Sequence, residues 1–180
     1  EDVTDEIIII PNEHLGKPVT RVDKMDGNLV LILENVREVY IPASVVCIDP
    51  SAFQYLTNLT SVNIEEGSTL QKISTGAFRN CTSLVSVSLE KCTRLSFIGG
   101  DAFKDCSSLQ TMILPENTIE LGSEVFMNCA KLKNFEFTGK FQNMGSDVFN
   151  GCVSLENINF MNKSSIIGIA MFAGCMGLKN

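Results

Sequence analysis

The chain has 180 residues, of which 44% are hydrophobic and 19% charged, a composition typical of a folded, soluble protein. Its formal net charge is -7 and it contains no Lys/Arg cluster, which argues against binding to nucleic acid or to an anionic membrane surface. No apolar run reaches the roughly 18 residues that a membrane-spanning helix needs, so we expect no direct insertion into a membrane.

The first 35 residues are the least regular part of the chain. The run "IIII" at 7–10 is strand-sized, and residues 23–35 lack the Phe and Cys that recur in the later repeats. We interpret residues 1–35 as an entry segment and a degenerate first coil, and residues 36–180 as about six repeats of 23–25 residues. The strand of the last coil would begin at about Asn180, and no polar cap comes after Lys179. We therefore expect this single domain to be a fragment of a longer protein.

The repeat becomes visible when the chain is aligned on phenylalanine. The anchors are separated by 25, 25, 23, 23 and 23 residues: Phe53, Phe78, Phe103, Phe126, Phe149 and Phe172. Leucine always stands six positions after the anchor, and cysteine stands three positions after it in five of the six repeats. The position five residues before the anchor is always Ile, Leu or Met. Agreement in so many columns indicates an internal repeat.

Each repeat contains one short alternation of hydrophobic and polar residues. The instances are "LTSVNI", "LVSVSL", "LQTMIL", "LKNFEF" and "LENINF", with inward residues Val62/Ile64, Val87/Leu89, Met112/Leu114, Phe135/Phe137 and Ile158/Phe160. A period of two predicts a strand with one buried face. The "AFxxC" segment around each anchor has no β-branched run and predicts a single helical or 3₁₀ turn on the opposite wall. One strand per repeat predicts a solenoid in which parallel strands stack about 4.8 Å apart and the anchors form an apolar spine.

The combined pattern, I-G-x-x-A-F-x-x-C-x-x-L-x-x-I-x-L, resembles the BspA-like leucine-rich repeat family. The segment "FIGGDAFKDCSSLQTMILP" at 97–115 is an especially close match, and "YIPASVVCIDPSAF" at 40–53 resembles the linker of that family. The resemblance covers residues 7–180 and implies a leucine-rich repeat solenoid of the α/β type, mostly β. It also implies a cell-surface or secreted protein of a microbe that adheres to or recognises another macromolecule. Such an implication is an association, because a fold does not determine a function.

The seven cysteines are best explained as small core residues. Five form the column after the anchor: Cys81, Cys106, Cys129, Cys152 and Cys175. Neighbours in this column would hold their Cβ atoms about 4.8 Å apart, beyond the usual distance in a disulfide. No CxxC pair typical of a zinc site is present. Cys47 and Cys92 lie off the column, and we expect Cys92, in "EKCTR", to be the more exposed thiol.

Catalytic and cofactor motifs are missing from the sequence. It contains no GxSxG, HExxH or phosphate-binding loop. Its only histidine, His14, has no Ser or Cys motif beside it, although a pairing through the fold stays open. We predict a protein that is not an enzyme and that needs no cofactor or metal. Asn58, Asn80 and Asn162 match glycosylation acceptors, which carry little weight in a bacterial protein.

The outward positions of the strands form the candidate binding surface, which we call the strand face. Its members are Glu38, Tyr40, Ser61, Asn63, Ser86, Ser88, Thr111, Ile113, Asn134, Glu136, Asn157 and Asn159. Ser, Thr, Asn and Glu suit adaptable hydrogen bonding, while Tyr40 and Ile113 would serve as apolar anchors. The favoured hypothesis is a protein-interaction or adhesion module that binds a host or cell-surface macromolecule through this face. The alternative is a structural spacer that projects another domain and has no ligand of its own, in which the polar rows only keep the sheet hydrated.

Overall fold

A computed structural model describes residues 6–23, 35–137, 139, 141–160 and 169–178. These residues form a mostly β solenoid of parallel strands, which confirms the predicted fold class. Asn162, Ile167, residues 24–34 of the degenerate coil and residues 179–180 lie outside the described residues. In chain order the elements are β1 (Ile7–Ile9), β2 (Glu13–His14), β3 (Lys17–Pro18), β4 (Arg21–Val22), β5 (Glu38–Ile41), β6 (Cys47–Ile48), β7 (Ser61–Ile64), β8 (Lys72–Ile73), β9 (Ser86–Val87), the 3₁₀ helix η1 (Leu89–Lys91), β10 (Phe97–Ile98), β11 (Thr111–Leu114), β12 (Glu120–Leu121), β13 (Asn134–Phe137), β14 (Asn143–Met144) and β15 (Asn157–Phe160).

The first wall of the solenoid contains the strands that the alternation predicts. They form two parallel sheets, in the orders β1-β5-β7-β9 and β11-β13-β15. Their register places equivalent repeat positions side by side, so that Tyr40 pairs with Asn63 and Ile113 with Glu136. The predicted inward residues are buried wherever their side chains are described, apart from Ile158, which is half-buried near the end of the array. Residues at the same position of successive repeats therefore lie side by side in a row across the sheet.

The ladder of strands is interrupted between β9 and β11, where a continuous one was predicted. The preceding coil, which has the same length, turns after its strand at Gly67 with a φ of 74°. The equivalent position in the next coil is Cys92, with a φ of -85°. In this coil the chain turns earlier, through η1. Leu89 is nevertheless fully buried, as its place in the pattern predicts.

The second wall is a parallel sheet of six two-residue strands that the sequence did not reveal. Its order is β14-β12-β10-β8-β6-β4. The aliphatic column five residues before the anchor lies in it, with Ile48 pairing with Ile73, and Ile73 with Ile98. A strand of two residues is too short to show a period of two, so this column was recognised only as apolar.

The anchor segments form the third wall and are chains of tight turns instead of the helical or 3₁₀ turn that was expected. The backbone N–H of Ala52 donates within its own coil, to the carbonyl of Asp49 (3.2 Å). The next N–H, of Phe53, donates to Ala77 in the neighbouring coil (2.8 Å). Donors to the same coil and to the neighbouring coil thus alternate, and Ser51, at the start of this segment, has a positive φ of 58°. A helix would direct all these donors along its own axis, whereas here about half of them join neighbouring coils.

The six anchor rings stack into the predicted spine through the centre of the array. Neighbouring ring centroids are 5.2–5.6 Å apart and the ring planes differ by 12° or less. The first five rings are buried, and Phe172 is half-buried. Because the coils are joined by hydrogen bonds and filled by this spine, the side chains of the first wall stand on a rigid support.

Candidate functional site

The break at η1 divides the strand face into two parts. The proximal face lies on β5, β7 and β9, where Glu38, Ser61 and Ser86 form one row and Tyr40 and Asn63 another. The distal face lies on β11, β13 and β15, with the rows Thr111, Asn134, Asn157 and Ile113, Glu136, Asn159. Ser88 belongs to neither row, because it lies between β9 and η1. The structure therefore places the other sequence-predicted residues on two sheets, and a cleft of about 190 Å³ is lined from both sides by Ser86, Ser88, Thr111 and Ile113.

Tyr40 and Ile113, the two apolar residues predicted to contact a partner, are both exposed, one on each surface. Tyr40 is 42% exposed on the proximal face and Ile113 is 39% exposed on the distal face. Among their predicted neighbours, Asn63 and Asn134 are half-buried, while Glu136 is exposed. Each surface thus offers one of the two predicted apolar side chains beside hydrogen-bonding groups.

Hydrogen bonds between side chains of the same face hold some of these residues in place. The Tyr40 hydroxyl donates to the Glu38 carboxylate at 2.9 Å, and this bond raises the pKa of the Tyr40 phenol. On the distal face the Asn157 amide donates to the side-chain oxygen of Asn134 at 2.8 Å. A partner would meet side chains that are already oriented, which lowers the entropy lost on binding.

The proximal face continues onto β1, which the sequence analysis did not include in the site. Ile7 pairs with Glu38 and Ile9 pairs with Tyr40, so the two isoleucines extend the two proximal rows. They are 48% and 74% exposed. Their signal in the sequence was the run "IIII", whose lack of alternation concealed which positions face outward.

A cleft of about 510 Å³ opens where β1, β5 and β7 end. Ile9, Tyr40 and Asn63 line it from the strands, and the acidic pair Glu65–Glu66 and Lys91 of η1 line it from the turns. A smaller cleft of about 360 Å³ lies beside the distal face, between polar residues that include Lys131 and Lys133. The proximal cleft is the more apolar of the two, while the distal cleft is suited to polar contacts.

A model of the BspA-type leucine-rich repeat region matches residues 32–95 and 47–179, with six copies of the repeat. The chain belongs to the BspA-type leucine-rich repeat family. Membership implies a role in protein interaction or as a repeat scaffold, and proteins of this family and fold are generally not enzymes.

Solved structures of bacterial leucine-rich repeat proteins resemble this BspA-type array. One from T. pallidum is 27% identical with a TM-score of 0.84, covering 98% of this chain and 79% of its own. A leucine-rich cell surface protein from Faecalibacterium prausnitzii is 23% identical with a TM-score of 0.76, covering 97% and 46%. The pneumococcal vaccine antigen PcpA is 17% identical with a TM-score of 0.52, covering 97% and 59%. No curated protein sequence matches the chain.

Four of the five column cysteines of the BspA-type array are buried in the core, Cys175 is half-buried, and all five form the same hydrogen bond. Each thiol donates to the carbonyl of the anchor phenylalanine one coil earlier, at 3.1–3.2 Å. Burial raises the pKa of Cys81 and of Cys152 to about 12. All seven cysteines are free. A thiol that stays protonated is a poor nucleophile and a poor metal ligand.

The expectation that Cys92 is exposed is wrong. Its side chain is fully buried because it occupies the inner side of the turn that η1 forms in place of a glycine turn. Burial raises its pKa to about 11, although a hydrogen bond with Ser68 acts in the opposite direction. The charged neighbours in "EKCTR" suggested a surface position that the fold does not provide.

Metal-ligating side chains do not converge in the described part of the chain. No group of three or more His, Cys, Asp or Glu side chains there is arranged to hold a metal ion. His14 is exposed in the hairpin of β2 and β3, opposite Lys17. Among the described residues, no helix has the length and apolarity needed to cross a membrane.

Proposed function

We propose that this array is a non-catalytic interaction or adhesion module that binds a macromolecular partner through its strand face. The observation that carries the proposal is the exposure of Tyr40 and Ile113 on rigid rows of polar side chains. Binding hot spots are typically large side chains surrounded by groups that exclude water, and an extended sheet surface offers room for them. Repeats 36–180, preceded by the entry segment 1–35, would act as one domain.

We further propose a location on a cell surface or outside the cell. The family supports this location. One similar structure is described as a cell surface protein and another as a vaccine antigen, which agrees with it. The net charge of -7 favours a protein or glycan partner over nucleic acid.

The test begins with a screen of the array against a panel of purified host ectodomains. Tyr40→Ala and Ile113→Asp are then made separately and together, because the two residues stand on different sheets. We expect at least one single variant to weaken binding to the identified partner by tenfold or more, with an unchanged circular dichroism spectrum. Surface plasmon resonance gives the affinities.

Two exposed apolar residues outside the strand face provide matched controls. Tyr55 on the anchor wall is 61% exposed, and Val153 is 39% exposed, as is Ile113. Tyr55→Ala and Val153→Asp should leave the affinity within twofold of the parent. Equal losses in the controls, or unchanged affinity in both strand-face variants, would place the site elsewhere.

The spacer alternative draws on the distal face, where Asn157 and Asn134 bond to each other as they would in a purely structural sheet. In that case the full protein would bind its partners through another domain. Deleting the two coils between Phe103 and Phe149 would then shorten the reach of the protein and leave its choice of ligand unchanged. Loss of the ligand on this deletion would favour the interaction module.

A further inference from the structure

The lining of the proximal cleft combines apolar side chains with charged ones. Ile9 and Tyr40 are neighbours in one row, and Ile9 is 74% exposed, more than any other large apolar residue described on the first wall. The cleft crosses the ends of three strands, and Lys91 of η1 is also part of its lining. Three strands at about 4.8 Å span roughly 10–15 Å, the length of three or four extended residues.

The turns around the cleft carry more negative than positive charge. Glu65 and Glu66 are exposed, and Lys91 is the one basic residue of the described lining. The ammonium of Lys91 lies 4.0 Å from the Glu66 carboxylate, which is 86% exposed. Such a solvated pair contributes little, so Lys91 does not neutralise both carboxylates.

Glu65 is held in position by the backbone. One of its carboxylate oxygens accepts the N–H of Ala43 at 2.9 Å, which fixes its side chain beside the mouth of the cleft. An apolar surface next to a positioned carboxylate is complementary to a segment in which an apolar side chain adjoins a cationic one. The same charge disfavours anionic ligands such as phosphates or acidic lipids.

We propose that the proximal cleft binds an extended peptide segment of the partner in which an aliphatic or aromatic side chain lies next to Lys or Arg. The apolar side chain packs on Ile9 and Tyr40, and the cation pairs with Glu65 and Glu66. This inference rests on the proposed function and names the partner chemistry of the proximal half of the strand face.

The test uses three fluorescein-labelled Gly/Ser dodecapeptides with different central segments, measured by fluorescence anisotropy. The segments are Leu-Lys-Leu-Lys, the charge-reversed Leu-Glu-Leu-Glu, and Ser-Lys-Ser-Lys, which lacks the apolar side chains. We expect the Leu/Lys probe to bind at least tenfold more tightly than the other two, and more weakly as salt is raised. No binding of the Leu/Lys probe up to 1 mM, or equal binding of a control peptide, overturns the proposal.

Variants locate the binding on the protein. The double change Glu65→Gln with Glu66→Gln, and separately Ile9→Asp, should each reduce affinity for the Leu/Lys probe at least fivefold. Glu116→Gln with Glu120→Gln is the matched control, because it removes the same charge from a distant coil off the strand face. An equal loss in this control would mean non-specific attraction to an acidic protein and would overturn the proposal.

Failure of the cleft proposal can be distinguished from failure of the proposed function. If Ile9→Asp leaves binding of the natural partner unchanged while Ile113→Asp abolishes it, the cleft proposal is wrong and the interaction module stands. If neither the cleft variants nor the distal-face variants change partner binding, both are wrong.

Discussion

Replacement of Phe103 by alanine tests whether the stacked anchors stabilise the array. The Phe103 ring is fully buried and lies between two parallel rings, with centroid distances of 5.2 Å to Phe78 and 5.6 Å to Phe126. The change removes this ring and leaves the backbone, including the Phe103 carbonyl that accepts the Cys129 thiol at 3.2 Å. The perturbation is therefore confined to packing.

The expected loss in the free energy of unfolding is about 3–5 kcal/mol, the range for truncating a buried phenylalanine. Two lost stacking contacts account for about 1–3 kcal/mol of it, at roughly 0.5–1.5 kcal/mol for each aromatic pair. The remainder comes from the transfer of the ring and from the cavity, which neighbouring coils cannot close because their spacing is set by backbone hydrogen bonds.

Urea denaturation followed by far-UV circular dichroism measures this loss, and the slope m shows whether the array still unfolds as one unit. Phe172→Ala is the matched control, because its ring is half-buried and stacks on Phe149 at the end of the described spine. We expect the control to cost less than half as much as Phe103→Ala. A loss below about 1 kcal/mol for Phe103→Ala, within the range of surface changes, would refute the spine as a source of stability.

Three further predictions concern the backbone and the thiols. Gly122→Ala would press its Cβ against the backbone of Gly100, so we expect a loss of about 1–3 kcal/mol in a thermal unfolding assay, and an unchanged transition would contradict that close approach. Cys92 should resist a thiol reagent at pH 8 in the native protein and react after unfolding, because its pKa is near 11 and it is buried; rapid native reaction, read against a Cys92→Ala variant, would contradict its placement. The pKa of Cys81 and of Cys152 is raised to about 12, above an unfolded value near 9, so their contribution to stability is complete below pH 9 and is lost as the pH rises towards 12. Thermal unfolding between pH 8 and 11 measures this, and a smaller alkaline loss is expected in Cys152→Ala.

The repeat, the spine and the inward residues of the first wall were all predictable from the amino-acid sequence. In a stacked array, each coil meets the next through the same positions, so a column of Phe or Cys in the alignment becomes a line of contacts in space. Phe103 and Cys106 were therefore placed in the core without coordinates. The family could be recognised from the same columns, because their spacing is specific.

The grouping of the outward positions depends on tertiary structure and could not be predicted. The second wall was not predicted because two-residue strands show no hydrophobic periodicity. The outward position of Ile9 was not predicted because its coil has no anchor phenylalanine to align. The division of the strand face coincides with one turn, where Cys92 stands at the position of the left-handed Gly67 and the chain forms η1. Inward positions are set by a pattern that every coil repeats, whereas the shape of the outer surface depends on single turns, which a repeat does not constrain.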